Sequence, residues 1–149
     1  MAIGALSSAA LLYAQSNVAV VAPSAKVIAH AGQSVSSKIT VELLPGYHCN
    51  SNTPSEDYLI PLRLAWLSGP LQVVEIVYPH PKMEKYAFSP KPLSVFTGNF
   101  DIVTKFKVPA GALAGETKVT GKLRYQACTD KLCLPPRSIE ITLPVQVVK

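Results

Sequence analysis

The sequence predicts an all-β fold, an antiparallel β-sandwich formed by a single domain. Apolar residues recur at every second position in several short runs, the pattern of strands with one buried face. Turn-forming Pro and Gly clusters separate the runs at intervals typical of sandwiches. The chain of 149 residues, 48% hydrophobic and 15% charged, is long enough for one full core and shows no disordered bias.

Taken in order, Val18 to Val21 and Ala25 to His30 are short β-prone runs. Ser36 to Leu44 alternates, with Ile39, Val41 and Leu43 on one side and Lys38, Thr40 and Glu42 on the other, and Pro45-Gly46 ends it. Tyr58 to Leu67 and Leu71 to Tyr78 are denser apolar runs joined by Ser68-Gly69-Pro70. Phe100 to Val108 turns Phe100, Ile102, Phe106 and Val108 inward. Thr117 to Ala127 does the same with Val119, Leu123, Tyr125 and Ala127. Arg137 to Val147 buries Ile139, Ile141, Leu143, Val145 and Val147, and Pro144, which lacks an amide donor, marks that end as a sheet edge. The total is roughly eight or nine strands with Greek-key connections. Tyr47 to Ser55 and Pro79 to Pro92 are expected to be loops, the second long enough to suggest a functional role. Trp66 is expected in the core.

The first 17 residues stand apart from residues 18–149, the sandwich domain. Ala2 to Ala14 is small and apolar and reads either as an export-signal remnant or tether, or as a short helix with Leu6, Ala10 and Tyr13 on one face. No run reaches the length of a membrane-spanning helix. The net charge of +5 is spread along the chain, with no basic run interleaved with aromatics, which argues against nucleic-acid binding.

Most of the chemical information lies in Tyr125-Gln126-Ala127-Cys128-Thr129-Asp130-Lys131-Leu132-Cys133-Leu134-Pro135-Pro136. Cys128 and Cys133 end one strand and begin the next, and if those strands pair the two sulfurs come within bonding range. Cys128 is expected on the outward face beside Gln126. A loop this small contributes only about 2 kcal/mol as a staple, less than a bridge between sheets would. It suits exchange better, because exchange needs an accessible sulfur and a resolving thiol next to it. Lys131 favours a thiolate there and Asp130 opposes one. Two other readings stay open: a plain hairpin disulfide in a non-catalytic envelope binding module, and a metal site drawing on His30, His48 or His80. Cys49, in a polar loop, reads as a partly buried bystander.

The strand–YQAC–turn–CLPP segment resembles the N-terminal domain of the bacterial thiol:disulfide interchange protein DsbD. Gly46-Tyr47-His48, Pro54, Leu59-Ile60-Pro61-Leu62 and Val77-Tyr78-Pro79 are similar to the family's upstream part. The likeness extends over about residues 34 to 147. It implies an immunoglobulin-like sandwich in the periplasm, in some proteins tethered to the inner membrane through a larger chain. The domain would act as part of a protein-disulfide reductase, with no cofactor or metal beyond its cysteines. Electrons would come from the thioredoxin-like domain of a membrane reductase and pass to thioredoxin-fold proteins such as disulfide isomerases and cytochrome c maturation thioredoxins. The resemblance further implies that Cys133 forms the mixed disulfides and Cys128 resolves them, under a cap loop whose tip is Tyr86 or Phe88. Tyr47, Tyr125, Gln126, Asp130 and Lys131 are the candidate neighbours. The four-residue spacer, the Pro-rich cap loop and Cys49 depart from the family pattern.

Overall fold

The computed structural model describes residues 17–149. The segment expected to be either an export-signal remnant or a short helix lies almost wholly outside the described residues. Twelve strands follow in order. They are β1 (Ala19–Val21), β2 (Val27–His30), β3 (Ser34–Leu43), β4 (His48–Asn50), β5 (Arg63–Trp66) and β6 (Gln72–Val77), then β7 (Lys82–Glu84), β8 (Leu93–Thr97), β9 (Asn99–Lys107), β10 (Gly115–Tyr125), β11 (Ala127–Cys128) and β12 (Arg137–Val148). There is no helix among the described residues, and so none long and apolar enough to cross a membrane.

Two four-stranded sheets, ordered β1-β3-β9-β6 and β2-β12-β10-β5, form an immunoglobulin-like β-sandwich. The long antiparallel pairs set their registers, from Ser34↔Lys107 to Glu42↔Asn99 in one sheet and from Gly115↔Val147 to Tyr125↔Arg137 in the other. The inward residues read from alternation meet between the sheets. Ile39, Val41, Leu43, Ile102, Leu123, Tyr125 and Ile141 belong to one buried cluster, and Phe106, Val108, Val119, Leu143, Val145 and Val147 to a second. Trp66 bridges the two clusters. Its Nε1–H donates to the Thr104 hydroxyl at 2.9 Å, which satisfies the one polar atom of a ring otherwise given to packing.

Alternation concealed a third sheet, ordered β11-β4-β8-β7, at one end of the sandwich. Strand β4 lies in the expected loop at Tyr47 to Ser55, and β7 lies in the expected loop at Pro79 to Pro92. Both are three residues long, β4 is buried on both faces and β7 is exposed on both, so neither shows a period of two. Chain continuity ties this sheet to the sandwich. Gly46 (φ 83°) and Gly98 (φ 64°) take the left-handed conformation at the β3–β4 and β8–β9 junctions, where a side chain would be strained. A break at Gln126 passes the chain from β10 into β11.

The edge expected at Pro144 needs correcting. Strand β12 lies between β10 and β2, but β2 covers only Val145 to Val148, in parallel. Pro144 is the last residue before that coverage begins, so its missing donor falls outside the stretch that β2 pairs.

Candidate functional site

Cys128 and Cys133 are joined, with an S–S distance of 2.01 Å and a Cα–Cα distance of 3.9 Å. Two backbone bonds flank the pair. The Thr129 N–H donates to the Leu132 carbonyl, and the Leu134 N–H to the Ala127 carbonyl, each at 2.8 Å. This makes Cys128 and Cys133 a directly opposed, non-hydrogen-bonded antiparallel pair, the arrangement that brings side chains closest. The Thr129 hydroxyl closes the turn by accepting from the Lys131 and Leu132 amides, each at 3.2 Å. Asp130 and Lys131 form the exposed tip.

The two cysteines differ sharply in exposure. Cys133 is exposed, whereas Cys128 is 1% exposed. Strict alternation from β10 had put Cys128 on the outer face. The break at Gln126 cancels that phase, because β11 leaves β10's sheet and pairs with β4 instead. Ala127 and Cys128 are both buried as a result.

Gln126 acts as a brace for the hairpin. Its amide donates to the Leu134 carbonyl at 3.4 Å and accepts from Asn50 Nδ2 at 3.3 Å, and the same Asn50 nitrogen donates to the Ile60 carbonyl at 3.0 Å. Tyr125 is 4% exposed and belongs to the core. Burial pushes its hydroxyl pKa upward, against the pull of Arg137 and a backbone bond. Tyr47 packs against the same cluster and lines a groove of about 740 Å³ with His48, Glu84, Tyr86 and Asp130. Lys131 stays at the tip, away from these contacts.

The sequence offered His48 only as a possible metal ligand; the structure places it beside Cys128. It is the register partner of Cys128 on β4. Opposed residues project from the same sheet face, so Cys133, Cys128 and His48 form one row across three adjacent strands. His48 is 2% exposed, and its Nε2 has no hydrogen-bond partner. Tyr86 stacks on the imidazole with ring centroids 3.9 Å apart and planes 12° apart, and Phe88 stacks on Tyr86 at 5.6 Å. The loop expected to cap the cysteines thus places its tyrosine on the register neighbour of Cys128, while Cys133 itself is exposed. Lys85 Nζ pins this loop by donating to the Tyr86 and Ser89 carbonyls. The only clue in the sequence was His48 itself, and with β4 buried on both faces it carried no periodic signal.

Burial holds His48 neutral, with its pKa lowered from 6.5 to about 4. Between these values the unfolded chain binds a proton that the folded protein refuses. Stability is therefore complete above pH 6.5 and is lost as pH falls towards 4, by about 3 kcal/mol in all. Urea titrations at pH 7 and pH 4.5 should show this loss, and His48→Gln should remove most of it; an unchanged pH dependence in the variant would refute the assignment. Cys49, expected partly buried in a polar loop, instead lies on β4 at 1% exposure; burial pushes its thiol up to about 12, against a backbone bond to Phe96, which keeps it protonated. Among the described residues, no group of three or more His, Cys, Asp or Glu could hold a metal ion.

The fold and site are those of an all-β sandwich with a hairpin disulfide between an exposed cysteine and a buried one. The chain belongs to the family of the N-terminal domain of the thiol:disulfide interchange protein DsbD, which matches residues 16–144. It is a thiol–disulfide interchange domain of that family. Among solved structures, the N-terminal periplasmic domain of ScsB from Proteus mirabilis is similar at 14% identity with a TM-score of 0.55, over 84% of this chain and 44% of that one. The chain thus spans less than half of that structure. A cohesin–dockerin complex from Clostridium thermocellum aligns at 10% identity and a TM-score of 0.45, over 89% of this chain and 100% of that one, which is too distant to bear on function. No curated protein matches the chain.

Proposed function

We propose that residues 18–149 form a periplasmic module that relays electrons between thioredoxin-fold proteins through Cys128 and Cys133. Residues 1–17 would be an export-signal remnant or an extension towards an inner-membrane anchor. The reduced pair would be regenerated by the thioredoxin-like domain of a membrane reductase. It would then reduce disulfide isomerases or the thioredoxins of cytochrome c maturation, as one component of a protein-disulfide reductase. Family membership supports the exchange chemistry, and the periplasmic setting is that of the similar ScsB domain.

The observation that carries the reading is the unequal exposure of the two cysteines. A thiolate attacks the sulfur it can reach, so the mixed disulfide forms at Cys133 and the buried Cys128 becomes the leaving group and later the resolving thiol. Cys128→Ala should therefore accumulate a covalent complex between Cys133 and a thioredoxin-fold protein, visible as a reductant-sensitive band of higher mass. Absence of any such adduct when the variant is mixed with an oxidised thioredoxin-fold protein would refute the reading.

A further inference from the structure

We propose that His48 is the base that takes the proton from Cys128 when that thiol resolves a mixed disulfide. This rests on the exchange reading above, with Cys133 as the attacking and Cys128 as the resolving sulfur. Three observations support it. His48 and Cys128 are register partners on adjacent strands, which sets their Cβ atoms about 4.5–5.5 Å apart on one face. The Nε2 atom of His48 is buried without a partner, whereas among the described residues the other buried polar side-chain atoms, Asn50 Oδ1 excepted, are hydrogen-bonded. The ring is also covered by a loop residue and not by the core, since Tyr86 stacks directly on it.

The step balances as follows. The Cys133 thiolate of the reduced protein attacks the disulfide of a thioredoxin-fold partner, forming a bond to one partner sulfur and expelling the other as thiolate. Cys128 Sγ–H then gives its proton to Nε2, in the tautomer that carries hydrogen on Nδ1. The freed electron pair on Cys128 attacks Cys133 Sγ, the Cys128–Cys133 bond forms, and the second partner sulfur leaves as thiolate. The partner gains two electrons, this pair loses two, and the imidazolium releases its proton to water. Asn50 Oδ1, the other orphaned atom on this face, can accept a hydrogen bond but cannot carry the proton away.

The cap sets when this base is available. Covered by Tyr86, the imidazole is desolvated and holds a proton poorly. When a docking partner displaces the cap, water returns and the basicity of the ring rises towards its ordinary range, near 6.5. The other titratable groups around the ring are Cys128 on β11, Tyr86 on the cap, and Tyr47, Glu84 and Asp130 along the adjoining groove.

The test uses the reduced domain and dithiobis(nitrobenzoate), a chromogenic disulfide. Attack by Cys133 releases the first thionitrobenzoate and resolution by Cys128 the second, while the inert Cys49 stays silent. His48→Gln should slow the second release about a hundredfold at pH 7 and leave the first unchanged. The wild-type second phase should level off near pH 6.5, whereas that of the variant should keep rising towards the thiol range near 8.5. Tyr86→Ala, which uncovers the ring and keeps it, should speed the second phase. Equal second-phase rates in wild type and His48→Gln at every pH would overturn the proposal, as would a second phase indifferent to Tyr86→Ala should the glutamine variant fail to fold. Lack of a first phase in the wild-type protein would instead refute the exchange reading, and this proposal with it.

Discussion

Cys133→Ala should reduce exchange with thioredoxin-fold partners to background, while Cys128→Ala should keep the first attack and stall as a covalent complex. Stability is the internal control. Each substitution opens the same small loop, at about 2 kcal/mol by loop-closure entropy, and Cys128→Ala adds the lost packing of a buried sulfur. A loss of stability in both variants with opposite chemical behaviour is what an exchange pair requires. A hairpin brace in a non-catalytic binding module predicts the same losses of stability but two variants alike in partner binding. Equilibrium urea unfolding and non-reducing electrophoresis of both variants, after mixing with an oxidised thioredoxin-fold protein, separate the two cases. Indistinguishable phenotypes would leave only the brace. The asymmetry depends on burial, because a lone Cys128 at 1% exposure presents no sulfur to an incoming disulfide.

Phe106→Ala should destabilise the fold by about 3–5 kcal/mol, the largest effect expected of any single truncation here. Phe106 is fully buried on β9, at the centre of the cluster that also holds Val108, Leu143 and Val145. It meets Trp66 edge-on, with ring centroids 5.6 Å apart and planes 62° apart, a geometry that adds to the transfer energy of the ring. The Trp66 side chain is fixed by its bond to Thr104 and cannot readily swing into the space left behind. Thermal and urea unfolding measure the effect, and a loss below about 1 kcal/mol would mean that the site collapses and that the cluster is not the keystone described. The substitution lies in the cluster that excludes the β11 and β4 residues, so the folded fraction should retain exchange at Cys133.

The sequence by itself determined the sandwich, the long strands and the hairpin that joins Cys128 to Cys133. Strands such as β3, β9, β10 and β12 have one face in the core and one in water, so burial writes a period of two directly into the residues. The segment Cys128 to Cys133 was readable because a disulfide within a hairpin depends only on local spacing and a turn. The third sheet could not be read that way. Its strands are short and are either buried on both faces or exposed on both, and the partners of β4 lie far along the chain: His48 pairs with Cys128 on one side and with Thr97 on the other. Tertiary structure alone decided that Cys128 turns inward and that His48 stands beside it beneath Tyr86. A side chain's environment at the meeting point of three distant segments is set by how the sheets join, and no local pattern encodes it.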